Sequence, residues 1–146
     1  MWNEINNEED VQKFMKKMIF FHDSCIKEIK YESGAYVQEN LSMLPVNEKR
    51  ILRVIIQRQF RDISMIEMEF SGLKYFKLEP NDETYTCEIL DATLILKDDG
   101  IYWCDCGGIK EEDLMNYEGT LIFASKLRWR SIENHMGNED YFVPVE

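Results

Sequence analysis

The chain has 146 residues, 45% of them hydrophobic and 31% charged, with 28 acidic against 17 basic side chains and a formal net charge of −11. That length suits a single domain spanning 1–146, able to bury roughly 68–70% of its unfolded surface with no disulfide or metal staple, and the composition is globular, not disordered. So negative a surface repels phosphate backbones and anionic membranes, which argues against nucleic-acid and membrane partners, and it is compatible with a basic protein partner as well as with plain solubility.

Residues 7–20 predict a helix. Val11, Phe14, Met15, Met18 and Ile19 fall at helical spacing on one stripe. Asn6 or Asn7 can cap its start, Glu8, Glu9 and Asp10 lie at the positive end of the dipole, and Lys16 and Lys17 lie near the other end. The start of the chain, MWNEINNEEDV, shows no basic segment followed by an apolar run, and no apolar stretch approaches the ~18 residues of a membrane span. Cytoplasm is the expected compartment, with the four cysteines reduced.

From Cys25 the period changes to two. A first strand runs to Ser33-Gly34, and a second short one covers Ala35 to Met43. Leu52, Val54, Ile56 and Phe60 line one face of a long strand, with Arg53, Gln57 and Gln59 on the other. Ile66, Met68 and Phe70 alternate with Met65, Glu67 and Glu69 in the next. Such alternation marks a sheet buried on one side and wet on the other. Ser71-Gly72 reads as a turn into Leu73 to Leu78, and Pro80-Asn81-Asp82 ends that segment. Leu90, Ala92, Leu94 and Leu96 share a face of a strand leading to the hairpin signal Lys97-Asp98-Asp99-Gly100, after which Ile101 to Cys106 returns. Gly107-Gly108 breaks it, Lys110 to Tyr117 is a short polar or helical excursion, and Thr120 to Trp129 is the last strand. The polar tail from Ser131 is expected to be partly loose. The fold class is mainly β (α+β): an antiparallel β-sandwich or strongly curved sheet, with one N-terminal helix covering an apolar face or an open edge.

Two segments carry candidate chemistry. His22-Asp23-Ser24 has the letters of a hydrolytic triad, but sequence neighbours diverge at a turn, and a triad must converge in space. The plain reading has Asp23 or Ser24 bonding local backbone and His22 donating to a carbonyl, with ligand binding by His22 and Asp23 as the functional alternative. Cys104 and Cys106 share a strand face without the knuckle turn of a zinc site, which favours core packing over metal or redox chemistry. No metal and no cofactor are expected. On the opposite face stand Trp103 and Asp105. Trp103 is either an exposed interface anchor or a residue covered by the helix or the 110–117 loop.

Lys126, Arg128 and Arg130 alternate on the last strand, and Arg53, Arg58 and Arg61 form a second basic group. Arg128 and Arg130 could hold an anionic ligand, but cross-strand pairing with Glu67 and Glu69 is the simpler account. The chain has no glycine-rich phosphate loop, no Gly-x-Ser-x-Gly elbow and no His-Glu-x-x-His. The reading therefore leans away from an enzyme.

The box FHDSCIKEIKYESGAYV from Phe21 to Val37, followed by IEMEFSGLKYFKL, WCD and LRWR, resembles a set of small uncharacterised bacterial proteins in which a helix precedes a Phe-His-Asp-Ser box and an all-β body. More loosely it is similar to the small acidic immunity proteins that neutralise toxins used between bacteria. The resemblance implies the fold and a class, and carries over no catalytic residue. The expected function is a non-enzymatic interaction module, of the immunity-inhibitor type, that binds a basic partner with Trp103 and nearby carboxylates as anchors. The alternative is a small-ligand or metal-binding β-domain with hydrolytic activity, drawing on His22, Asp23, Cys104, Asp105 and Cys106. A homodimer joined through edge strands is a third option.

Overall fold

The computed structural model describes residues 1–144. It is a mainly β fold in which one large antiparallel sheet curls around a single helix. The chain opens with a short strand, β1 (Asn3–Ile5), that the sequence pattern did not signal, and then enters α1 (Glu8–Lys17). Asn7 caps α1 by accepting from the Asp10 amide, and Glu8, Glu9 and Asp10 fill its first turn. Val11, Phe14, Met15 and Met18 are buried as the helical spacing requires.

Ile19 is not. The helix ends at Lys17 with Met18 as its C-cap, three residues short of the expected end at residue 20, because Ile19, Phe20 and Phe21 all take positive φ (51°, 54° and 64°). This left-handed turn costs each L-residue roughly 1–2 kcal/mol. It turns Ile19 and Phe20 outward and drives Phe21 into the core, edge-on against Phe14 and Trp103 at 5.6 Å.

After the turn come β2 (Ser24–Glu32), a projecting pair of two-residue strands β3 (Tyr36–Val37) and β4 (Met43–Leu44), then β5 (Ile51–Arg58) and β6 (Met65–Lys77). The expected strand from Ala35 to Met43 is thus a hairpin. Conversely, the expected turn at Ser71-Gly72 lies inside one 13-residue strand. Gly72 (φ +63°) bends β6 there without ending it, and a Cβ at that position would sit 2.7 Å from Ser125 Oγ. The chain finishes with β7 (Thr93–Lys97), β8 (Gly100–Cys104), a one-turn 3-10 helix at Glu111–Asn116 and β9 (Leu121–Ser131).

The sheet order is β2-β5-β6-β9-β8-β7, with β1 paired to the far half of β9. Its concave face collects Leu52, Val54 and Ile56 from β5, Met68 and Phe70 from β6, Trp103 from β8 and Trp129 from β9 against α1. Of the two architectures consistent with the sequence, the curved sheet is the one adopted. The two ends of that sheet nearly meet. Ile89, just ahead of β7, bridges Ser24 at the start of β2, through Asp23 N–H to Ile89 O (3.1 Å) and Ile89 N–H to Ser24 O (2.7 Å).

The convex face is covered in two places. Cys104, Tyr102, Leu114 and Leu121 form a second small core under the 3-10 helix. Ile55, Met65 and Ile132 form a third, against which Tyr141 and Phe142 pack. The tail expected to be loose is therefore tied down: the Tyr141 and Phe142 amides both donate to the Glu28 carboxylate (2.5 and 3.2 Å). Residues 145–146 of that tail lie outside the described residues.

Candidate functional site

The His22-Asp23-Ser24 box sits on the seam where the sheet closes. Ser24 is buried and its hydroxyl donates to the Phe21 carbonyl at 2.5 Å. His22 Nδ1 donates to the Leu90 carbonyl at 2.7 Å, and the Ala92 amide donates to Phe20 O. Residues 20–24 and 89–92 are thus laced by bonds from both sides. His22 Nε2 lies 3.5 Å from Asp23 Oδ2. Ser24 does not complete that pair, because its hydroxyl is given to the Phe21 carbonyl. The box is a closure device for the sheet, its polar groups turned to local carbonyls as expected of such residues at a turn.

The second box is divided by its own strand. Trp103 is fully buried on the concave side, against Phe21, so it cannot serve as an exposed anchor for a partner. Of the two expectations for Trp103 the covered one holds: Trp103 points into the main core, and Cys104 points into the smaller core on the convex side. Both faces of β8 are covered, so alternation there carries no inside-outside signal. Cys106 lies past the strand end and is exposed, while burial pushes the Cys104 thiol pKa up. Asp105 pins the 3-10 segment to the sheet. It accepts from the Tyr117 hydroxyl (2.5 Å) and from the Thr120 amide (3.2 Å). Burial and that carboxylate together push the Tyr117 phenol far up. Among the described residues, no three His, Cys, Asp or Glu side chains come together to hold a metal ion. Asp23 and Asp105 line different clefts.

Arg128 and Arg130 are engaged with glutamates. Arg128 Nε donates to Glu69 Oε1 and Arg130 Nε to Glu67 Oε1, both at 2.8 Å, directly across the β6–β9 ladder. Arg53 Nη1 reaches Glu69 Oε2 at 2.5 Å from β5. Trp2 roofs the group, its ring 4.1 Å from the Arg128 guanidinium and 4.5 Å from that of Arg130. Glu67 and Glu69 are buried beneath these cations, and the Glu69 hydrogen bond raises the Arg128 pKa further. A ligand anion there would have to displace a buried carboxylate, so this face is a structural network with its charges already matched.

Two features carry more than the sequence pattern gives them, Arg58 being grouped there only with Arg53 and Arg61. The first is the β3–β4 hairpin, which stands clear of the body. Every residue from Ala35 to Arg50 is exposed, including Tyr36 (54%), Val37 (53%), Leu41 (83%) and Met43 (63%). Its tip is built by Gln38 N–H to Ser42 O and Leu41 N–H to Gln38 O, both 2.8 Å, and its base by the Lys49 and Arg50 amides on the Ser33 carbonyl. Weak alternation and Pro45 gave little warning of it. The second is Arg58, 3% exposed at the end of β5. It had a legible signal: Arg58 is in phase with Leu52, Val54 and Ile56, so a cation occupies a core-facing position of an apolar strand face.

Comparison with protein-family models, with curated proteins and with solved structures finds no match to this chain. The class the fold defines is therefore stated in structural terms: a helix-filled, nearly closed antiparallel sheet carrying one projecting hairpin.

Proposed function

We propose that the protein is a non-enzymatic interaction module, of the immunity-inhibitor type, that engages a basic protein partner through the β3–β4 arm. The observation that carries this reading is the exposure of Tyr36, Val37, Leu41, Met43, Leu44 and Val46 together on one projecting element. Tyr36 pairs with Leu44 on one face of the hairpin and Val37 with Met43 on the other. Exposed apolar residues gathered on one element beside polar ones such as Gln38, Glu39, Asn40 and Glu48 are the usual mark of a contact site. The net charge of −11 favours a basic partner and would speed its encounter. The anchors are the arm residues, in place of the buried Trp103.

A photo-crosslinking side chain at Tyr36 or Met43, used in the cells that make the protein, tests the reading. The expected result is one crosslinked basic protein. Its purified complex with this chain should weaken as salt rises and be lost with the combined variant Tyr36→Ser, Val37→Ser, Met43→Ser, Leu44→Ser. Crosslinking no greater than from a control position on α1 such as Lys13 would sink the proposal, as would undiminished binding by the serine variant.

A further inference from the structure

Arg58 is a buried cation with no carboxylate among the described residues in ion-pair contact, Asp62 acting on it only from longer range. Arg53, Arg128 and Arg130, by contrast, each have a glutamate. Its Nη1 donates to two carbonyls, Asp62 O at 3.2 Å and Ile63 O at 2.6 Å, which uses both N–H groups of that nitrogen. Phe60 stacks on the guanidinium at 4.7 Å. Nε has no acceptor at all. The Nε–Nη2 edge, the side-on fork that matches a carboxylate, is thus held in place and unspent. Burial pulls the Arg58 pKa below its ordinary value, outweighing the Asp62 carboxylate that acts the other way.

Arg58 lines a cleft of about 480 Å³ at the sheet seam, together with Asp23, Cys25, Gln59, Glu88 and Met136. The cleft's other charges are negative. Asp23 comes from the seam turn, and Glu88, held below the usual carboxylate range by the Thr86 hydroxyl, comes from the segment that bridges β2. The lining of this one cleft thus combines a buried fork for an anion with carboxylates suited to a cation. We propose that this cleft binds a small zwitterion of the α-amino-acid class, its carboxylate on Arg58 and its ammonium toward Glu88 and Asp23. A simple anion would meet the two carboxylates and gain less, and a simple cation would leave Arg58 unpaired. The site is independent of the arm and needs no partner protein.

The test is NMR titration of the full chain, reading the Arg58 Nε–H resonance and the Cys25, Gln59 and Glu88 amides. The probes are L-alanine, L-glutamine and L-methionine, with acetate, methylammonium and inorganic phosphate as partial mimics. At least one amino acid should give saturable shifts at these positions and bind more tightly than acetate, methylammonium or phosphate. Glu88→Gln, an exposed change that leaves the fold intact, should weaken that binding about fivefold, and Arg58→Lys should weaken it about tenfold or more by losing the fork. If Arg58→Lys fails to fold, the Glu88 variant and the Nε–H shift decide the matter alone. The proposal is overturned if no amino acid shifts these resonances. It is equally overturned if acetate or phosphate binds as well as the amino acids and Glu88→Gln changes nothing.

Discussion

Two of the molecule's β-hairpins, both rich in apolar residues, meet opposite fates. β7–β8 turns at Asp98-Asp99-Gly100 and brings in Leu94, Ile101, Tyr102 and Trp103, all buried. β3–β4 turns at Gln38 to Ser42 and carries Tyr36, Val37, Met43 and Leu44, all exposed. Propensity does not separate them, since both are rich in aromatic and aliphatic residues. What separates them is what lies on either side. β8 has β7 and β9 as ladder partners, α1 over one face and the 3-10 helix over the other. β3 and β4 pair only with each other. An isolated two-stranded hairpin has little to hold it, and the partner contact proposed above would supply the packing that the chain itself does not give this arm.

The contrast can be broken first at its strongest point. Trp103→Ala should cost about 3–5 kcal/mol in urea unfolding, or prevent folding, because it empties a site packed against Phe21 under the helix. Trp103→Phe should cost much less. The indole Nε1 is buried with no acceptor, and removing that donor offsets part of the lost volume. Equal losses in the two variants would mean that the indole nitrogen is satisfied after all.

On the convex face, Glu67→Gln should cost about 2 kcal/mol, as it removes the charge that Arg130 holds at 2.7 Å and Arg53 approaches at 3.8 Å. High salt should leave that difference largely intact, since Glu67 is buried. A cost that disappears in salt would show the network to be surface-like.

Tyr102 offers a pH test of the buried hairpin. Burial and the hydrogen bond to Asp99 push its phenol up to about 12. The unfolded chain releases this proton near 10 while the folded chain keeps it. Its contribution is therefore fully present below pH 10 and is lost as pH rises from about 10 to about 12. Tyr102→Phe should flatten that part of the stability profile, and an unchanged alkaline slope would show that Tyr102 is not its source.

The smallest stability effect belongs to the arm. Serine at Tyr36 and Met43 should change unfolding free energy by less than about 0.5 kcal/mol each, even as binding to a partner is lost. A large drop in stability would erase the distinction between the two hairpins.

Several features were legible from residues alone because they depend on local periodicity. The α1 stripe through Met18, the core-facing sides of β5 and β6, the Asp99-Gly100 turn and the mainly β antiparallel architecture follow from spacing and turn chemistry. The opposite side of β5 and β6, expected to be wet, is instead largely buried at Ile55, Met65, Glu67 and Glu69. The pairing of Arg128 with Glu69 and Arg130 with Glu67 follows from alternation once β6 and β9 are neighbours. Tertiary structure decided the rest. The left-handed turn at Ile19–Phe21 is held by long-range bonds to residues 89–92, which no local pattern encodes. Which face of β8 meets the helix could not be read from a strand covered on both sides. Arg58 stood in the sequence as a cation in phase with a core face, but its lack of a carboxylate in ion-pair contact and its place at the sheet seam exist only once the sheet curls until Ser24 reaches Ile89. Local pattern fixes what a segment can become. Burial and charge compensation depend on neighbours distant in sequence, and those are chosen only when the chain closes on itself.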